Sequence, residues 1–294
     1  MQPAVHVGPE PDRAIEEAVS TAGGRIAPLE QADAVVWLDS SPDSFPDPLP
    51  ERVKWVQLPS AGVEPWLERI DGSRLWTSAA GAYGRPVAEH ALALMLAGGR
   101  RIADCARAQR WTEPPVVPLH RSTVAIVGAG GIGRALIELL EPFGVDVLAV
   151  TRRGTGGTLP ADRLGEVLPA AHHIVIAAPA TAATRHLIGA AELEAMRADA
   201  WLVNVARGAL VDTDALVAAL AGGAIAGAAL DVTDPEPLPD DHPLWREPRA
   251  LITPHVANPV ATLSRYLAEH VRANVARFGA GEALLAPIDP DAGY

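Results

Sequence analysis

A single cysteine, Cys105, rules out an internal disulfide framework and any cysteine-rich metal site. Lysine is as scarce: Lys54 is the only one. No lysine therefore follows a glycine-rich turn, which excludes a phosphate-binding loop of the NTPase kind. Lys54 itself stands in a strand-like segment and makes a poor Schiff-base residue. Aromatics are only 4% of the chain, and its seven tryptophans are scattered as core or interface anchors would be. Excess positive charge is absent as well. A formal net charge of −12 argues against general affinity for nucleic acid or anionic membrane. No apolar run approaches membrane-spanning length and the N-terminus has no basic-then-apolar leader, so a cytoplasmic location is expected. With no cysteine or clustered acid beside the histidines, no metal site is expected.

What is present suits two globular cores: 294 residues, 49% of them hydrophobic. Short apolar runs at 4–7, 34–38, 53–58 and 75–78 alternate with helix-like spacers, as βαβ units do. A strongly apolar helix is predicted over 87–96, continuing to about Arg110, and the proline cluster at 114–118 ends it. Strands are predicted again at 174–178, 201–205, 226–230 and 251–253, with helices over 190–196 and 212–221. His172 and His173 are expected to end a helix before the first of these strands. A last helix over about 260–278 must return to the first domain, because the tail beyond it is too short to fold alone.

The richest local signal lies on either side of Leu148. An apolar run, Val124-Ala125-Ile126-Val127, opens into Gly128-Ala129-Gly130-Gly131-Ile132-Gly133 and a helix-like stretch. Strand, tight glycine turn and helix start let backbone N–H groups approach a pyrophosphate. A second apolar run, 145–150, ends in Thr151-Arg152-Arg153, where such folds usually carry an acid for the ribose 2′-hydroxyl. An acid there would repel a 2′-phosphate, whereas guanidiniums bind it bidentately. NADP(H) is the expected cofactor, with NAD(H) possible.

Three later stretches each follow a predicted strand, the end at which open α/β sheets bind ligands. They are Asn204-Val205-Ala206-Arg207-Gly208, Asp231-Val232-Thr233-Asp234-Pro235-Glu236-Pro237 and Thr253-Pro254-His255-Val256-Ala257-Asn258. An arginine, a carboxylate and a histidine so placed suffice for hydride transfer to a 2-keto acid. Arg207 would clamp the substrate carboxylate and polarise the keto oxygen, His255 would protonate that oxygen, and Glu236 would stabilise the imidazolium.

Together with the glycine turn, the stretches NVARGALVD (204–212), LDVTDPEPLP from Leu230, and TPH ending at His255 resemble the D-isomer-specific 2-hydroxyacid dehydrogenase family. The similarity is in character to its NADP-preferring glyoxylate and hydroxypyruvate reductases. It implies two doubly wound α/β domains: a Rossmann dinucleotide-binding domain over 85–264, and a flavodoxin-like substrate domain over 1–84 plus 265–294. It also implies a homodimer built on the cofactor domain. Arg207, Glu236 and His255 take the catalytic roles by this resemblance. Asp231 would contact the nicotinamide carboxamide, and Ala178, Pro179 and Ala206 would border the cofactor. Backbone N–H groups of Ala61 and Gly62 would bind the substrate carboxylate.

The departures point to substrate. Asn258 stands where a small residue is more usual and would add a polar contact. Arg85 could read a second anionic group, although a surface arginine is the commoner state. His90, beside Glu89 on the apolar helix, is expected to be a satisfied helix residue. Formate-oxidising members are expected to carry glutamine in place of Glu236, which argues against that reaction. A phosphite-type dehydrogenase and a non-catalytic dinucleotide sensor on the same fold are the alternatives.

Overall fold

The computed structural model describes residues 2–291 and resolves them into two compact units. The first joins Met1–Tyr83 to Asn258–Tyr294; the second is Gly84–Ala257.

In the first unit, β1 (Ala4–Gly8), α1 (Arg13–Thr21), β2 (Arg25–Ile26), β3 (Ala34–Trp37), β4 (Trp55–Gln57) and β5 (Leu75–Thr77) follow in order. The sheet runs β2-β1-β3-β4-β5 and every pairing is parallel, the flavodoxin-like order. Strands β3 and β4 are buried at every position, as strands covered on both faces must be. Five of the seven tryptophans are buried, at 37, 55, 66, 76 and 201. Phe45 packs edge-on to both Trp37 and Trp66, with ring centroids 5.2 Å apart in each pair.

The second unit carries α2 (Gly84–Gly99), α3 (Ile102–Arg107), β6 (Thr123–Val127), α4 (Gly131–Leu140), β7 (Asp146–Thr151), β8 (Leu159–Pro160), α5 (Leu164–Val167) and β9 (His173–Ile176). It continues through α6 (Ala190–Ala195), β10 (Trp201–Asn204), α7 (Thr213–Gly222), β11 (Gly227–Leu230) and β12 (Ala250–Ile252). Its seven parallel strands run β12-β11-β10-β9-β6-β7-β8. The chain moves outward from β6 to β8 and then jumps back to β9, so the switch point lies between β6 and β9. A doubly wound sheet binds its ligand at the carboxyl ends of such a strand pair.

Helix α8 (Val260–Ala280) returns the chain to the first unit. Ser264 donates to Asp12 Oδ2 at 2.6 Å, while Asp12 Oδ1 caps α1 through the Ala14 and Ile15 amides. Buried Asn274 donates to Gln57 Oε1 at 2.9 Å and accepts from Leu285 N at 2.7 Å. The tail beyond α8 then hydrogen-bonds to the β5 edge, Ser78 N to Ala286 O and Ile288 N to Trp76 O, both 2.9 Å.

Several local expectations need correction. The apolar helix does not run on to Arg110; it stops at Gly99, Arg101 turns left-handed at φ 53°, and α3 follows. Packing decides this stop. A Cβ on Gly98 would lie 2.4 Å from the Trp201 ring, and the Arg101 guanidinium stacks over that ring at 5.8 Å while pairing with Asp104. The two-residue edge strands β2 and β8 are too short to leave a period in the sequence.

His173 does not end a helix either. It opens β9, fully buried, and neither ring nitrogen has a partner among the described residues. Burial, with His172 nearby, pushes its pKa down to about 4. The unfolded chain therefore binds more protons between the ordinary value near ~6.5 and that depressed one. Stability is complete above this window and is lost as pH falls through it, by about 3 kcal/mol. Urea titrations at pH 7 and pH 4.5 should record the loss, and a His173→Leu variant should show less of it. An equal loss in both proteins would place the acid sensitivity elsewhere.

Candidate active site

The glycine turn occupies the carboxyl end of β6. Gly128 has φ 107°, and a Cβ there would lie 2.5 Å from Ala177 O and 2.6 Å from Ala178 N. Only glycine lets the turn press against the strand across the switch point. A Cβ on Gly133 would fall 2.1 Å from Gly128 O, so this residue permits close helix–strand packing. Gly130 is different: nothing lies within 4 Å of its Cβ position. It is the N-cap of the ten-residue α4 and supplies no side-chain cap, leaving the first-turn amides of Gly131, Ile132 and Gly133 to an external acceptor. Crowded glycines beneath an open, uncapped helix start fit a pyrophosphate. Ala178, in the loop after β9, lies beside this turn, and Pro179 follows it in the chain.

At the end of β7, Thr151 does not hold its hydroxyl free. Its Oγ1 is 2.7 Å from Thr158 Oγ1 and accepts from Gly154 N at 3.2 Å, closing the turn into β8. Arg152 and Arg153 are both exposed, and neither forms an ion pair among the described residues. Arg85 is a surface residue, 3.8 Å from Glu138 with both side chains largely exposed.

The three predicted catalytic loops all sit at carboxyl ends of neighbouring strands, β10, β11 and β12. Buried Asn204 shapes the first loop, accepting from Ala206 N at 3.1 Å and donating to Arg207 O at 2.9 Å. Arg207 is half-buried and donates to Ala206 O at 2.9 Å. The next residue, Gly208, decides how close this loop comes to the second one. A Cβ on Gly208 would overlap Thr233 O at 1.9 Å. Gly208→Ala must push the two loops apart, a strain of about 1–3 kcal/mol. Lower thermal stability with impaired turnover is the expected result; unchanged melting and unchanged kcat would mean the loops yield freely.

His255 ends this construction. Its Nδ1 is 2.6 Å from Glu236 Oε1, and Glu236 Oε2 accepts from Thr233 N at 3.3 Å. The carboxylate accepts a hydrogen bond from Nδ1–H, which fixes the tautomer and leaves Nε2 as the other ring nitrogen. His255 adopts φ 51°, a conformation of order 1–3 kcal/mol above ordinary backbone for a residue with a side chain.

Asp231 holds the histidine in that conformation. Its main-chain oxygen accepts His255 N at 2.8 Å. Its Oδ1 accepts Val256 N at 2.9 Å and the Thr253 hydroxyl at 2.6 Å, and its Oδ2 accepts Ala257 N at 3.0 Å. Burial alone would raise the pKa of this carboxyl. Hydrogen bonds from His90, Thr253, Val256 and Ala257 outweigh burial and hold it at about 2. Asp231 is thus ionised throughout the neutral range, with its side chain engaged in the 253–257 turn.

Ala61 and Gly62 lie in the first unit, in the loop after β4. Ser60 Oγ donates to Gly62 O at 2.6 Å, and the Tyr83 hydroxyl, its pKa pushed up by burial, donates to Pro59 O at 2.6 Å. Asn258 is partly buried, and its Oδ1 has no partner among the described residues. No group of three or more metal-ligating side chains occurs among the described residues, and no helix among them is long and apolar enough to cross a membrane.

Sequence reasoning missed Gly208 as the spacer between the 204–208 and 231–237 loops, and it left His90 a helix residue. The close RG pair and the AEH triplet were the available signals, but neither carries a contact partner.

Residues 90–257 match the profile of the D-isomer specific 2-hydroxyacid dehydrogenase NAD binding domain. A protein of the proB 3′ region of Corynebacterium melassecola is 41% identical, over 94% of this chain and 95% of its own. Glyoxylate/hydroxypyruvate reductase A of Klebsiella pneumoniae is 33% identical, over 72% of this chain and 70% of its own. A solved D-isomer specific 2-hydroxyacid dehydrogenase from Xanthobacter autotrophicus Py2, in complex with NADPH and MES, superposes with a TM-score of 0.85. It is 29% identical and covers all of both chains. The matched stretch runs through the glycine turn to the end of the histidine loop, and the likeness extends over both units: the chain belongs to the D-isomer-specific 2-hydroxyacid dehydrogenase family.

Proposed function

We propose that this enzyme reduces a small 2-keto acid of the glyoxylate or hydroxypyruvate kind to the D-2-hydroxy acid, with NADP(H) preferred and NAD(H) usable. The 2.6 Å contact between His255 Nδ1 and Glu236 Oε1 carries the proposal, because it fixes the ring and turns Nε2 outward. The name of the Klebsiella relative and the NADPH of the Xanthobacter structure support the substrate class and the cofactor.

The glycine turn, Gly128 to Gly133, would hold the pyrophosphate on main-chain amides, and Arg152 and Arg153 would hold the 2′-phosphate. Ala178, Pro179, Ala206 and Asp231 would border the nicotinamide half. When bound, the reduced nicotinamide supplies the hydride to C2 of the keto acid. Arg207 would clamp the substrate carboxylate and polarise the keto oxygen. His255, protonated on both nitrogens, would keep Nδ1–H on Glu236 and give the Nε2 proton to the oxygen as C2 is reduced. It would end neutral, with its remaining proton on Nδ1. Ala61, Gly62 and Asn258 would contribute substrate contacts, the first two through backbone N–H groups.

The unit of Met1–Tyr83 and Asn258–Tyr294 takes the substrate role in this scheme. The assembly would be a homodimer in the cytoplasm. Trp111 is 95% exposed and Ile102 and Val116 are also uncovered, which is consistent with a buried face in such a dimer.

Oxidation of NADPH and NADH by the purified enzyme, against 2-keto acids from glyoxylate and hydroxypyruvate to bulky and dicarboxylic ones, tests the proposal. Turnover led by small acids with NADPH is expected. Cofactor binding with no turnover on any acid would overturn it.

A further inference from the structure

We infer that His90 is a positioning residue for His255, acting through Asp231 and Thr253; the inference rests on the acid/base role proposed for His255. His90 lies on α2, far from the catalytic loops in sequence. Its Nε2 is nevertheless 2.9 Å from Thr253 Oγ1 and 3.2 Å from Asp231 Oδ1.

The direction of these hydrogen bonds follows from counting protons. Thr253 has one hydroxyl proton, and its 2.6 Å contact with Asp231 Oδ1 consumes it. Asp231 is ionised and accepts only. Both atoms facing Nε2 are therefore acceptors, and His90 must carry a proton there. It donates into the pair, fixing the threonine rotor and the plane of the carboxylate together.

That carboxylate is the frame of the histidine turn. The Val256 and Ala257 amides that it accepts come directly after His255, and the Asp231 main-chain oxygen takes the amide of His255 itself. Thr253, Val256 and Ala257 all belong to the turn being held. His90 is the one side-chain donor to Asp231 from outside it, among the described residues. The strained φ of His255 persists only while this frame is rigid, and α2 supplies the external anchor. His90 keeps 21% side-chain exposure, so hydrogen bonding accounts for its placement better than space filling does.

Two variants separate positioning from packing. His90→Leu keeps bulk and removes the donor. His90→Gln puts an amide nitrogen at nearly the reach of Nε2 and restores the donor. Each full-length variant is compared with the wild type in steady-state reduction of glyoxylate by NADPH, in NADPH binding by fluorescence, and in amide hydrogen exchange across 253–257.

The leucine variant should lose about tenfold in kcat through misplacement of the acid. Its glyoxylate KM and NADPH affinity should stay within about twofold of wild type, while exchange across 253–257 accelerates. The glutamine variant should recover both kcat and protection. Wild-type kcat and exchange in the leucine variant would overturn the inference, as would equal impairment of both variants. A wild type that turns over no keto acid would count against the proposed function alone, and substrate-free exchange across 253–257 would still decide the positioning.

Discussion

His255→Ala is expected to lower kcat about 10³-fold while NADPH still binds, because general acid catalysis supplies roughly that factor and the ring contributes nothing to the glycine turn. Without Nε2, the keto oxygen must take its proton from water as hydride arrives. Glu236→Gln should cost less, about 10²-fold, since a glutamine oxygen can still accept the Nδ1–H bond that spans 2.6 Å but brings no charge to an imidazolium. The two changes should not add. Residues that act as one unit lose their function together, so the double variant should resemble His255→Ala alone. Initial rates at saturating NADPH give all three numbers. A His255→Ala enzyme retaining a tenth of wild-type kcat would move the acid elsewhere.

Joint replacement of Arg152 and Arg153 by alanine should lower kcat/KM for NADPH about 10²-fold and leave that for NADH within about threefold. Each guanidinium can make charge-assisted bonds to a phosphate oxygen, and exposure to solvent keeps the pair from being worth more. Adding Thr151→Asp should complete an inversion toward NADH. The introduced carboxylate can still accept from the Gly154 amide, and the Thr158 hydroxyl, which now donates to Thr155 O, can rotate to donate to it, so the turn should survive while the new charge repels a 2′-phosphate. Rates with both cofactors at fixed glyoxylate decide it. Equal losses with NADPH and NADH would mean that the arginines stabilise the loop rather than read the phosphate.

Everything the sequence disclosed about this protein depends on neighbours a few residues apart. A Cβ at Gly133 would strike Gly128 O, within the same short motif, so the glycine spacing alone announces the turn. The alternation of apolar runs announces two parallel sheets for a similar reason, because burial on both faces demands it of each strand separately. The placement of Arg207, Glu236 and His255 in loops after strand ends was legible because each lies within its own short motif. Tertiary structure decided what joins distant segments. The hydrogen bond from His90 to Thr253 spans 163 positions, and the AEH triplet cannot name the partner. The break at Arg101 answers to a tryptophan 100 positions later in the chain, and His173 is isolated by packing on both sides of β9. By its motif Thr151 should face the ribose, yet Thr158 claims its hydroxyl. A steric demand within one short motif leaves a pattern in the sequence; a hydrogen bond or a close packing contact between distant segments needs only two atoms brought together, and the fold alone chooses which two.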